Sequence, residues 1–314
     1  MSEHEDVAPD FVRPSTINVH SNVSTYYRID YLAIVKKALL DAGGQPLLDR
    51  FLGGCFGHFI DFKPGPKCGM ALHYVVSRQI QSDDNGMWFF INGRKIYFSP
   101  KDYALITGLH FGSSNFDVIG DHHDVRNVKV FRTFCGGHQI RIAELVDTLN
   151  TFRIDDLDDS LHLRVAHVIV LYGMLLGYES DKYVASWIWA MVDDLDDFSR
   201  FPWGVYSYQT LSHYTYKCKP KKKYHFYGPV WALHIWSFEI LSHLANEVGR
   251  LVDAVAHPRC LRWRFRSLPA LKDLRHLFEN EVLKCLILFL LFFYCMLILY
   301  KCTFDFIAKC TYKN

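Results

Sequence analysis

"WFFINGRKIYFSPKDYALITGLHFG", residues 88–112, sets Gly93, Gly108 and Gly112 among apolar stretches. Whether those glycines cradle a phosphate or bend the chain decides how the rest is read. Asn92-Gly93 joins two β-prone runs by two residues, as a type I′ hairpin turn requires, because both central residues need positive φ. Pairing Ile91 with Arg94 then puts Phe89, Ile91, Ile96 and Phe98 on one face and Trp88, Phe90, Lys95 and Tyr97 on the other. Ser99 is placed to N-cap a helix with Pro100 at its first position and Asp102 at its third, and Gly108 to supply the left-handed residue after its end. A phosphate loop needs glycines directly between strand and helix, so that amides point at the anion. Here Phe98-Ser99-Pro100-Lys101-Asp102 occupies that place, and the stretch reads as scaffold.

Working outward, Tyr31 to Leu40 has helical spacing and stops at Asp41-Ala42-Gly43-Gly44. "FLGGCFGHFIDF" and "GPKCGMALHYVVSRQI" are apolar segments split by Lys63-Pro64-Gly65-Pro66, the second helical from about Ala71. Residues 112–140 show no clean period, and "IRIAELVDTL" returns to helix. Val165 to Leu176 is apolar nearly all round and closes at Gly177, which predicts a central buried helix. Lys182 to Phe198 predicts one helix with Val184, Trp187, Ile188, Met191, Leu195 and Phe198 in a single stripe, ended by Phe201-Pro202-Trp203-Gly204. Gly228-Pro229 opens a further helix that runs to Gly249. The expected fold is therefore mainly α with a small β-hairpin (α+β). It comprises a flexible tail over 1–27, one helical globular domain over 28–276, and a hydrophobic segment over 277–314.

The 314 residues, half of them apolar and 16% aromatic, are ample for one core, and 22% charged residues exclude a wholly disordered chain. A net charge of only +2 means that attraction to nucleic acid or acidic lipid must come from local patches. Nine scattered cysteines without a CxxC read as reduced intracellular thiols, and the acidic N-terminus has no apolar signal core.

"DDLDD" occurs at Asp155 to Asp159 and again at Asp193 to Asp197. It has the shape with which helical diphosphate enzymes hold Mg²⁺, because carboxylates at i, i+1 and i+4 share a face. Placing the apolar stripe inside turns Asp193, Asp194, Asp196 and Asp197 to solvent, so a wetted acidic face is expected and the Mg²⁺-dependent enzyme is the alternative. Cys55, His58, Cys68 and His73 lack the tight paired spacing of a structural zinc site and are expected to be buried thiols and hydrogen-bonded histidines. Cys135 and His138 have no second pair. No catalytic set, metal or cofactor is expected.

Two segments are basic. "KCKPKKK" holds Lys217, Lys219, Lys221, Lys222 and Lys223 in seven residues, as in an exposed loop, a nuclear-import signal or a phosphate-contacting patch. "RCLRWRFRSLP" alternates Arg262, Arg264 and Arg266 with Leu261, Trp263 and Phe265, the pattern of an edge strand with charge outward. With Tyr224, Phe226 and Tyr227 nearby, these basic residues suit a nucleic-acid or protein partner. Cys285 to Tyr300 is an unbroken apolar run, about 24 Å as a helix against a hydrocarbon core near 30 Å. It reads as a membrane anchor with snorkelling lysines, as a buried helix, or as translated AT-rich noncoding sequence.

"CFGHFIDF…KCGMALHYVVSRQI", "MWFFINGRKIYFSPKDYALITGLHFG", "YGMLLG", "MVDDLDDFSRFPWG", "GPVWALHIWSFEIL" and "PRCLRWRF", in that order, resemble a plant domain of unknown function. That domain precedes a SUMO-type cysteine protease domain in Mutator-like transposon-derived proteins. The resemblance covers approximately residues 28–268, and "YFSPKDYALITGL" is also similar to the plant mobile domain. It implies nuclear association. It carries over no catalytic residue, since the family's His, Asp and Cys lie downstream and fewer than fifty residues follow the match. The expectation is a non-enzymatic binding domain in nucleus or cytoplasm; the alternative is a tail-anchored membrane protein.

Overall fold

The computed structural model describes residues 22–63, 69–82, 86–113, 119, 123–151, 160–218 and 223–266. The described chain is mainly helical, with three sheets of two strands each. Strand β1 (Asn22–Thr25) leads into α1 (Asp30–Leu52), followed by α2 (Gly69–Val76), the hairpin β2 (Met87–Ile91) and β3 (Arg94–Phe98), and α3 (Pro100–Thr107). Next come α4 (Lys129–Cys135), α5 (Ile142–Thr151) and α6 (Ser160–Val170), which continues as a π-helix over Leu171–Leu176. The chain then forms α7 (Ser186–Val192), α8 (Leu195–Arg200), α9 (Trp203–Lys217), β4 (Lys223–Phe226), α10 (Val230–Ile240), α11 (Ser242–Val248), β5 (Gly249–Leu251) and β6 (Trp263–Phe265).

Two helical groups share the core. In the first, α1, α4, α5 and α7 surround α6, and from Ser160 to Leu176 every residue except Arg164 is buried, as an element apolar on all sides must be. In the second, α2 and α3 pack on α10, and α3 also packs on α9. The two are tied where Trp231 donates its indole N–H to the Met174 carbonyl at 2.8 Å and Gly228 N–H to the Leu176 carbonyl at 3.0 Å.

The opening stretch folds as its residues require. Asn92 (φ 52°) and Gly93 (φ 75°) make the turn, Ile91 pairs with Arg94, and Trp88 stacks on Tyr97 at 4.6 Å on the outer face. On the inner face Phe89 and Phe98 lie against Trp236, with centroids at 5.3 and 4.9 Å. Ser99 and Asp102 form the reciprocal capping box, and Gly108 ends α3 at φ 70°. Arg78 to Ile80 pairs with the free edge of β2, through Ile80 N–H to Trp88 O and Phe90 N–H to Arg78 O.

Elsewhere several expectations need correcting. The expected tail over 1–27 contributes β1, which pairs in parallel with β4, and Val23 and Tyr27 are buried. The stop at Gly44 (φ 65°, ψ −157°) is a kink after which α1 resumes to Leu52, and α4 occupies a stretch without a legible period. Lys182 to Phe198 is not one helix. Residues 182–184 run extended beside 140–142, and the rest divides at Asp193-Asp194 into α7 and α8, leaving Met191 and Leu195 only half-buried. Arg164 on α6 braces that junction by donating Nε and Nη2 to the Asp193 carbonyl at 3.1 and 3.0 Å, and Asp194 caps α8. Pro202 ends α8 and at once starts α9, and the segment after Gly228-Pro229 breaks at Leu241 (ψ 87°) into α10 and α11.

The arginine-rich segment also differs from a simple edge strand. Arg262 belongs to a 3₁₀ turn (Arg259–Arg262) and donates Nε to the Ala256 carbonyl at 2.8 Å. Arg264, half-buried, donates to the Trp263 carbonyl at 3.1 Å, and only Arg266 is fully exposed. A strand of three residues is too short to sustain the expected alternation. Cys285 to Tyr300 lies outside the described residues, among which no helix is long and apolar enough to cross a membrane.

Candidate functional site

Lys217 is the last residue of α9 and Lys223 the first of β4, so the two ends of the lysine run flank the space between these elements. Lys219, Lys221 and Lys222 lie outside the described residues. The space is an open, mostly apolar cleft of about 350 Å³ lined by Tyr214, Lys217, Cys218, Lys223, Tyr224, His225 and Tyr227.

Strand alternation sorts the β4 side chains. Tyr224 and Phe226 turn inward, and the Tyr224 hydroxyl bonds His73 Nδ1 on α2 at 2.8 Å, anchoring the strand. Phe226 is in the core and takes no part in the cleft, contrary to the expectation that it could stack on a ligand. His225 and Tyr227 point the other way, and Tyr26, which follows β1, lies over both. Its ring is stacked on Tyr227 at 5.0 Å and on His225 at 5.4 Å, with its hydroxyl 2.5 Å from His225 Nδ1. Tyr214 packs against Tyr227 at 5.1 Å and edge-on to Tyr178 at 6.4 Å.

One carboxylate orients this cluster. Tyr227 donates its hydroxyl to Glu179 Oε1 at 2.8 Å. Hydrogen bonds from Tyr227 and Tyr26 hold the Glu179 carboxyl below its usual range, so it is ionised at neutral pH. Burial, then Glu179, pushes the Tyr227 hydroxyl up, and burial foremost raises Tyr26, so both phenols stay protonated. Sequence proximity found Lys217, Lys223, Tyr224 and Tyr227. It missed Tyr26, Glu179 and Tyr214, which arrive from other elements; the period-two alternation of β4 would have separated Phe226 from His225.

The remaining expected residues divide as follows. Arg262, Arg264 and Arg266 lie in and beside β6, where Phe238 of α10 packs on Trp263 at 5.5 Å, so the two basic segments belong to different parts of the fold. Asp193, Asp194, Asp196 and Asp197 are exposed; Asp194 accepts from the Asp196 and Asp197 amides as the N-cap of α8, and Asp197 pairs with Arg200. Asp155 to Asp159 lie outside the described residues. His58 bonds the Thr107 carbonyl at 2.7 Å, and burial pushes the Cys55 and Cys135 thiols up to about 12. Cys68 is outside the described residues, and among those described no group of three or more His, Cys, Asp or Glu is arranged to hold a metal ion.

Residues 76–213 match a family model described as a domain of unknown function, DUF1985. The match runs from the last residue of α2 to within α9 and is narrower than the 28–268 span of the sequence resemblance. It contains the hairpin, the capped α3 and the π-helix, and it ends one residue before Tyr214, so the cleft is built just beyond the DUF1985 segment. No curated protein and no solved structure matches the chain.

Proposed function

We propose that the chain is a non-enzymatic binding domain whose cleft between α9 and β4 contacts nucleic acid. The observation that carries this reading is the meeting of two lysines of the five-lysine run with tyrosine rings in one concave site. Ammonium groups neutralise phosphate and release counterions, while aromatic rings give a sequence-tolerant surface for bases. Among the described groups that suggested chemistry, Asp194 serves as a cap, and Cys55 and Cys135 are thiols held protonated by burial. The resemblance to a transposon-associated plant domain supports a nuclear location and a history in transposon-derived proteins.

The test is fluorescence anisotropy of a labelled oligonucleotide with the full chain across a sodium chloride series. Lys217→Ala/Lys223→Ala is expected to weaken binding at low salt and to flatten the log–log salt slope by about 1.5, near 0.7–0.9 per lost phosphate contact. An unchanged slope and affinity would remove the cleft from the binding surface.

A further inference from the structure

We infer that the cleft takes one unpaired base with its adjoining phosphates, so that the domain grips single-stranded nucleic acid in preference to duplex. This rests on the nucleic-acid reading of the cleft and specifies its ligand. The first argument is size. About 350 Å³ lies at the small end of ligand sites, enough for a nucleotide-sized unit and far too little for a double helix.

The second argument is the lining. A surface that follows duplex phosphates needs cations and gains little from aromatic walls. Here the exposed or half-buried rings of Tyr214, His225 and Tyr227 line the cleft, and the exposed Lys217 and Lys223 bring charge to it. In a duplex each base is covered on both faces by its neighbours and along its edge by its partner, so only an unpaired base can reach such walls. Third, the rings are in place beforehand. Tyr26 stacked on His225 and Tyr227, and Tyr227 bonded to Glu179, limit the side-chain ordering that binding would otherwise cost.

The experiment compares the full chain on a labelled single-stranded 15-mer, as DNA and as RNA, with the DNA duplex of the same sequence at one salt concentration. Single strands are expected to bind about tenfold more tightly, in keeping with the stacking of one base. Tyr214→Ala should lose about that factor on single strands only, and Tyr214→Phe should keep it. His225→Ala, an exposed position, serves as a second variant if Tyr214→Ala melts early. Equal, lysine-dependent binding of single strand and duplex would overturn this inference and leave the broader reading standing. No salt-dependent binding of either would remove both, as would preference for an acidic, tyrosine-containing peptide over every oligonucleotide.

Discussion

From Met87 to Gly108 the chain makes a hairpin and a helix out of groups a few residues apart; from Ser160 to Lys217 some helix ends also depend on groups far away in sequence. In the first region Asn92-Gly93 turns the chain, Ser99 and Asp102 cap each other, and Gly108 closes the helix onto the Ala104 carbonyl. In the second, Arg164 holds the carbonyl at which α7 ends, and Gly177 (φ 54°) lies so close to Gly228 that a Cβ there would stand 2.4 Å from the Gly228 oxygen. Local chemistry is written beside the element it shapes. Tertiary chemistry is written somewhere else.

The strongest attempt to break this contrast is Gly177→Ala. The substitution combines left-handed strain with an overlap onto backbone that cannot swing away, so a loss of more than ~3 kcal/mol, or insoluble protein, is expected in urea unfolding. A cost below ~1 kcal/mol would show that the neighbouring turn at Gly228 does not dictate this helix end.

Acid comes next. His167 on α6 is buried among Phe51, Phe56 and Phe198, donates its Nδ1–H to the Leu163 carbonyl at 2.8 Å, and has no partner at Nε2 among the described residues. Burial lowers its pKa from 6.5 to about 4, against a slight rise from the Leu163 bond. The unfolded chain therefore binds the proton first: the stabilising neutral form is fully favoured above pH 6.5, and stability falls as pH drops from 6.5 toward 4. The loss is ~3 kcal/mol, at about 1.36 kcal/mol for each tenfold change in proton affinity. Denaturant titrations at several pH values should show His167→Gln losing less stability over that window than the parent chain. Parallel curves would mean that His167 is hydrated in the native state.

A smaller effect is expected for Arg164→Met. Losing two charge-assisted bonds to an exposed carbonyl should cost about 1.5 kcal/mol, chiefly at the α7–α8 junction, where hydrogen exchange would report faster opening. Smallest is Ser99→Ala, which removes one side of the capping box and should cost ~1 kcal/mol by thermal unfolding. If Ser99→Ala proved costlier than Arg164→Met, the ranking of local below tertiary control would be reversed.

The same contrast explains what could be read beforehand. Turn type, hairpin register, both ends of α3 and the burial of Val165 to Leu176 follow from neighbours in sequence, and all were legible. The single helix expected over Lys182 to Phe198 failed because periodicity does not see Arg164, and α9 was missed because Pro202, read as a stop, is also a start. For the cleft, the lysines and β4 tyrosines were visible as composition. Tyr26 was assigned to a tail, and nothing adjacent to it announces His225 as its partner.

The parallel pairing of β1 with β4 also bears on how the chain comes off the ribosome. Tyr26 and His225 are 199 positions apart. At ~5–20 residues per second, the first strand waits roughly 10–40 s for its partner to be synthesised. The stacked rings are thus among the last contacts to form, and a nascent chain halted before β4 would carry an unpaired strand in place of a finished cleft.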